Sequence, residues 1–180
     1  MSRQPAIEPS LKAGADFSPC RTWRYALWRR WSDAALVAFI GLNPSTADET
    51  KNDPTVRRCI GFARSWGYGG LLMLNTYGLR STDPAGLWRV DDPVGPGHDE
   101  RLTGYRDMAS AFVAAWGVHC VPSRAERVCQ MIGRRIDCLG LTNGGAPRHP
   151  LYLKASSERS PYWVPELSAL LAGMEEKFVW

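Results

Sequence analysis

The chain has 180 residues, enough for one domain with its own core and cramped for two. A composition that is 44% hydrophobic and 22% charged excludes wholesale disorder, and a net charge of +4 permits an anionic partner without requiring one. No apolar run reaches the roughly 18 residues of a membrane span, and MSRQPAIEPSLKAGADFSP lacks a signal peptide's apolar centre, so the expected setting is the cytoplasm.

Residues 1–19, rich in Pro, Ser and Ala, read as an N-terminal arm, which leaves 20–180 as a single domain. TWRYALWRRW (22–31) then sets Trp23, Tyr25 and Leu27 on one side of an alternating pattern and Arg24 and Arg30 on the other, as in a hairpin or edge strand. Its arginines read as solvated, with stacking on bases as the other use of interleaved Arg and Trp. A continuously apolar run at 34–41 suits a doubly covered parallel strand. DPTVRRCIGFARSWG predicts a helix: Asp53 caps, Pro54 opens the first turn, Val56, Cys59, Ile60, Ala63 and Trp66 recur at helical spacing, and Gly67 stops it.

Further apolar runs follow at GLLMLN (70–75), SAFVAAWG (110–117) and IDCLGLT (136–142), with helices expected around 98–108 and 123–133. DDPVGPGHD reads as a surface loop and 161–175 as a closing helix. Strand and helix alternate four times. That rhythm predicts an α/β fold, a three-layer α/β/α sandwich around a central, mostly parallel four-stranded sheet, with the hairpin or edge strand added at the N-terminus. The five cysteines, at 20, 59, 120, 129 and 138, form no C-x-x-C pair, which argues for reduced thiols and against a zinc cluster. GYGG is followed by no Gly-Lys-Ser/Thr, which excludes a Walker-type nucleotide site.

Ligands of open α/β sheets collect at the carboxyl ends of the strands. The polar residues there are Asn43, Asn75, Gly117, His119 and those of the loop GGAPRHPLYL. In this order the segments resemble the motifs of the uracil-DNA glycosylase superfamily. Gly41-Leu42-Asn43-Pro44-Ser45 is similar to the superfamily's Gly-x-(Asp, Asn or Glu)-Pro turn, in the mismatch-specific branch's Asn form. GLLMLN resembles the strand whose terminal Asn reads an extruded base, FVAAWG the strand ending in Trp-Gly, and RHPLYL the His-Pro loop that approaches the leaving base and wedges the duplex. GLNPSTAD, NDPT and PRHPLYL also resemble a bacterial and phage family of formerly unknown function. Leu151 and Tyr152 stand where the superfamily has small residues after His-Pro, the Cys set of its iron–sulfur branches is not found, and no Asp occupies the third place of the first motif.

The resemblance implies a uracil-DNA-glycosylase-like fold and a set of roles. Asn43 would orient water through its side-chain carbonyl, which cannot readily accept a proton, and His149 would donate to the leaving base. Asp48 is the expected supplement to Asn43, preferred over Asp53 because Asp53 already has a use as a helix cap. Asn75, Pro44, Ser45 and Tyr77 would hold the base. Thr46, Lys51, Arg80, Arg148, Leu151 and Tyr152 would face DNA, with Arg57 and Arg58 as further phosphate contacts. Each residue also has a plain structural use: Asn43-Pro44 as a turn, Asn75 on backbone groups at a strand end, His149 on a carbonyl. His98 and His119 are given no catalytic role.

The expected activity is that of a monofunctional DNA glycosylase, a monomer on double-stranded or single-stranded DNA, with no metal, other cofactor or membrane. It would release uracil or a bulky modified pyrimidine, such as the glucosylated hydroxymethylcytosine of phage DNA, and leave an abasic site. No Lys is placed for a lyase step. Two other readings stay open: a hydrolase or transferase of free modified nucleotides, and a noncatalytic binder of modified DNA.

Overall fold

The structure, a computed structural model, describes residues 12–165. Seven strands form one mixed sheet: β1 (Ala13–Phe17), β2 (Arg24–Arg30), β3 (Leu36–Gly41), β4 (Gly70–Asn75), β5 (Ala109–Ala114), β6 (Ile136–Cys138) and β7 (Ser160–Trp163), in the order β1-β2-β4-β3-β5-β6-β7. The helices are α1 (Pro54–Ser65), α2 (His98–Tyr105) and α3 (Pro122–Ile132). β4, β3, β5 and β6 are mutually parallel and are the four runs expected to form the sheet. Three strands joined by antiparallel pairings widen it, two beyond β4 and one beyond β6.

The structure corrects the sequence reading at three points. The arm of residues 1–19 ends before Ala13, because Ala13–Phe17 pairs with β2, and residues 1–11 lie outside the described residues. Of the two forms expected for 22–31, the hairpin holds, β2 pairing antiparallel with β1, and the edge strand does not: β2 is flanked by β1 and β4 and covered on both faces. The closing helix of 161–175 is replaced at its start by β7, whose aromatic Tyr162 and Trp163 suit a half-buried edge strand, and 166–175 lie outside the described residues.

The two faces of the sheet carry separate cores. On one, α1 packs Val56, Cys59, Phe62 and Ala63 against Leu27, Val37, Phe39, Leu71 and Met73. On the other, α2 and α3 bury Leu102, Tyr105, Ala125, Val128 and Ile132 against Ala38, Ile40, Leu72, Leu74 and Phe112. The chain goes from β3 through α1 to β4, then crosses back to β5 on the opposite side of β3. The switch in direction therefore falls at the carboxyl end of β3, where open α/β sheets leave a crevice. Among the described residues no helix is long and apolar enough to cross a membrane, and all five cysteines are free.

α1 starts where the sequence predicts. The Asp53 carboxylate accepts from the Val56 N–H at 2.8 Å, and Pro54 occupies the first turn. It is fixed to the sheet by an aromatic stack, with Phe39 parallel to Trp66 at 5.7 Å and near Phe62 at 6.4 Å. Phe39→Ala removes the sheet's ring from that cluster and is expected to cost about 3–5 kcal/mol in urea unfolding with an unchanged m-value.

Candidate functional site

The exits of β3 and β4 are stitched together by backbone hydrogen bonds. Thr76 N donates to Gly41 O at 2.8 Å, Tyr77 N to Leu42 O at 2.9 Å, and Ser81 N to Pro44 O at 2.9 Å. On the other side, Gly117 N donates to Pro147 O at 3.0 Å and so ties the loop after β5 to the one that carries His149. Between these stitched pairs opens a cavity of about 1060 Å³. Its volume lies just above the range usual for small-molecule sites, about 300–1,000 Å³.

Eight of the thirteen site residues expected from sequence line this one cavity: Asn43, Ser45, Thr46, Asn75, Arg148, His149, Leu151 and Tyr152. Two loops and the end of β4, far apart in the chain, thus converge, as expected of strand ends along one edge of such a sheet. Five do not line it. Asp48 is turned into its own loop, where Oδ1 accepts from Thr50 N, Thr50 Oγ1 and Lys51 N at 2.9, 3.2 and 2.7 Å. Tyr77 lies in the other core, edge-on to Trp88 at 5.7 Å, because its position in the chain puts it on the α2 and α3 face. Pro44 is buried beside the cavity, its carbonyl engaged by Ser81 and Asn43. Lys51 is exposed on the loop before α1, and Arg80 stacks over Phe17 and donates to Arg21 O.

Hydrogen bonds fix which atom each polar side chain presents. The Asn43 amide nitrogen donates to Ser81 O and Pro44 O at 2.9 and 3.0 Å, with Leu79 O at 3.4 Å. Only the NH₂ can serve three carbonyls, so Oδ1 is left over as an acceptor. Asn75 is the reverse. Its Oδ1 accepts from Arg24 at 3.2 Å, which leaves its NH₂ as the donor. Gly41 keeps that donor open, since a Cβ there would stand 3.0 Å from Asn75 Nδ2. His149 takes the Leu151 N–H on Nδ1 at 3.4 Å, capping the turn Pro150–Tyr152, so the neutral ring carries its proton on Nε2.

Two cavity residues were missed or ranked second. Asp53, 9% exposed, lines the cavity while Oδ1 caps α1, and its second oxygen has no protein donor among the described residues. Of the two aspartates it is Asp53, not Asp48, that lines the cavity. Arg24, only 2% exposed, lines the floor and donates to Ala47 O at 3.0 Å as well as to Asn75. It is no solvated arginine. A β-bulge explains the difference: Asp16 pairs with Ala26 but Phe17 pairs with Arg24, so Tyr25 is an extra residue in β2. The extra residue reverses the alternation and turns Arg24 onto the α1 face, beside Asn75.

Behind Asn75 a second polar cluster holds the chain in place. Arg124 donates through Nε to Thr76 O at 2.6 Å and through Nη2 to His98 Nδ1 at 3.2 Å, and its Nη2 is ion-paired with Asp99 at 2.7 Å. At the rim, Leu151 and Tyr152 are 43% and 84% exposed, and Arg58 donates to Leu153 O, anchoring their loop to α1. Among the described residues no group of three or more His, Cys, Asp or Glu could hold a metal ion.

A family model described as "Protein of unknown function (DUF1643)" matches residues 24–151. The match begins at Arg24 and ends at Leu151, both on the cavity wall. No curated protein and no solved structure matched the chain.

Burial lowers the pKa of His149 and of His98 below the ordinary 6.5, against the pull of Asp53 on the first and of Asp99 on the second. Each imidazole therefore binds its proton more readily in the unfolded chain. Their stabilising contribution is complete above about pH 6.5 and is lost as pH falls through the folded-state values. The melting temperature is expected to drop between about pH 7 and pH 5, and to drop less in the double variant His98→Gln/His149→Gln, as read by thermal scans at matched ionic strength.

Proposed function

The chain belongs to that family, and from the cavity it builds we propose that it is a monofunctional DNA glycosylase, hydrolysing the bond between deoxyribose and an everted base. One observation carries the reading: Asn43, Asn75 and His149, from two loops and the end of β4, line a single cavity at the sheet's switch point. Flipping a base into such a site costs a few kcal/mol, which stacking and edge hydrogen bonds must offset. Tyr152 and Leu151, apolar and exposed at the rim, suit filling the gap left in the stack, with Arg148 beside them for phosphate.

Cleavage builds positive charge on the sugar and negative charge on the base. Asn43 Oδ1 orients the attacking water. The unpaired Asp53 oxygen takes its proton and faces the developing cation, a function that the Asn43 amide lacks. Asn75 Nδ2 and His149 Nε2–H donate to the base. The volume of about 1060 Å³ leaves room for a substituted ring, so uracil and bulky modified pyrimidines, including glucosylated hydroxymethylcytosine, are the substrates to try first.

The experiment incubates the protein with DNA carrying uracil, mismatches, deaminated bases and phage modifications, then cleaves abasic sites and identifies freed bases by mass spectrometry. Asp53→Asn keeps a good helix cap and removes the proton acceptor, so single-turnover release is expected to fall about 100-fold or more with little loss of stability. Asn43→Ala is expected to lower it by about the same factor, and Asp48→Asn to leave it within about twofold. Full release by both Asn43→Ala and Asp53→Asn would remove the assignment. DNA affinity that declines steeply with salt separates this reading from an enzyme of free nucleotides, and tight binding without release on any substrate selects a noncatalytic binder.

A further inference from the structure

The cavity floor holds a cation to which the roles above give no chemistry. Arg24 is 2% exposed, and no carboxylate forms an ion pair with it among the described residues. Among the described residues its partners are one backbone carbonyl and the Asn75 amide oxygen, and its Nε has none. Burying a guanidinium this way carries a large desolvation cost unless acceptors complete it. Burial lowers its pKa to about 10, so the charge survives at neutral pH, with Asp53 favouring it and Arg80 and Arg29 opposing it. His149, by contrast, is held neutral by its burial. It can donate a hydrogen bond but brings no charge.

We propose that Arg24 is the fixed counter-charge for a base that departs as an anion, acting as a positioning residue through the Asn75 amide it holds; this rests on the glycosylase reading. The C1′–N bond breaks and both electrons leave with the base nitrogen, whose negative charge spreads to the ring oxygens. The water oxygen bonds to C1′ and its proton passes to Asp53, then to solvent. The base takes a proton from solvent on release. Arg24 polarises Asn75 so that its NH₂ becomes a stronger donor to the oxygen that gains charge.

This places a limit on substrate class. Bases that are uncharged in DNA and leave as anions, the oxo-pyrimidines and their substituted forms, gain from Arg24. Alkylated purines, which are cationic in DNA and leave neutral, do not.

Calorimetry with two free bases tests the idea without any turnover: 5-nitrouracil, an anion near neutral pH, and uracil, which is neutral there. The wild-type chain is expected to bind the nitrouracil anion about 10-fold more tightly or better, and to lose that preference when the pH is lowered until nitrouracil is neutral. Arg24→Met is expected to erase the preference and Arg24→Lys to keep part of it. Failure of the wild type to bind nitrouracil, equal affinities for the two bases, or a preference that survives in a folded Arg24→Met protein overturns the proposal. The wild-type comparison decides alone if Arg24→Met does not fold. Anion preference without base release on any DNA would cost the glycosylase reading and leave the Arg24 site standing. Release with equal affinities would do the reverse.

Discussion

Two buried arginines of β2 hold the connection between β3 and α1, and the cavity depends on that restraint. Arg29 donates to Asp48 O at 2.6 Å, Lys51 O at 3.2 Å and Asn52 Oδ1 at 2.8 Å, while Arg24 donates to Ala47 O at 3.0 Å. A connection packed against the sheet has backbone carbonyls that no ladder can satisfy. Guanidinium groups reach several of them from one anchor. Charged hydrogen bonds to these carbonyls offset part of the cost of burying the cations, and they fix the path of the chain from Asn43 to Asp53. The cap of α1 and the cavity wall are consequently one construction.

The four parallel strands were legible because apolar runs of six or so residues, the first three each separated from the next by a helix, leave few alternatives. The convergence of Asn43, Asn75 and His149 was legible for the same reason, since strand ends in such a sheet share an edge. The antiparallel additions were less so. β1 hides in a stretch of small residues, Ala-Gly-Ala-Asp, whose strand character comes from pairing with β2 rather than from propensity. β2 itself was misread in its faces. Alternation is a reliable guide only while the register holds, and one extra residue at Tyr25 exchanges the two sides for Arg24. No local signal in TWRYALWRRW marks a bulge.

The choice between Asp48 and Asp53 shows a second limit. Both are loop aspartates that accept from backbone N–H groups two or three residues on, and the sequence shows that ability for each. What it does not show is where the remaining oxygen goes. A capping role uses one carboxylate oxygen and leaves the other available, so a structural function is no argument against a chemical one. Tyr77 failed for a related reason: two residues beyond Asn75 the chain has left the ladder, and its side chain enters the opposite core.

The cavity's polarity follows from how its amides and imidazole are tied down. Asn43 spends its donor atoms on carbonyls of the 44–81 loops and keeps an acceptor. Asn75 spends its acceptor on Arg24 and keeps a donor, and His149 spends Nδ1 on its own turn and keeps Nε2–H. Acceptor and carboxylate thus belong to the β3 exit and the start of α1, donors and the buried cation to β4, β2 and the 149 loop. None of these orientations is free to reverse, because each reversal would strand a buried carbonyl or set donor against donor. On the glycosylase reading proposed above, a site fixed in this way would be preorganised for a bond that breaks into a cation beside the acceptors and an anion beside the donors. It gains that preorganisation from backbone carbonyls and one bulge, which is why the residues that do the tying, Arg24 above all, matter as much as the residues that face the ligand.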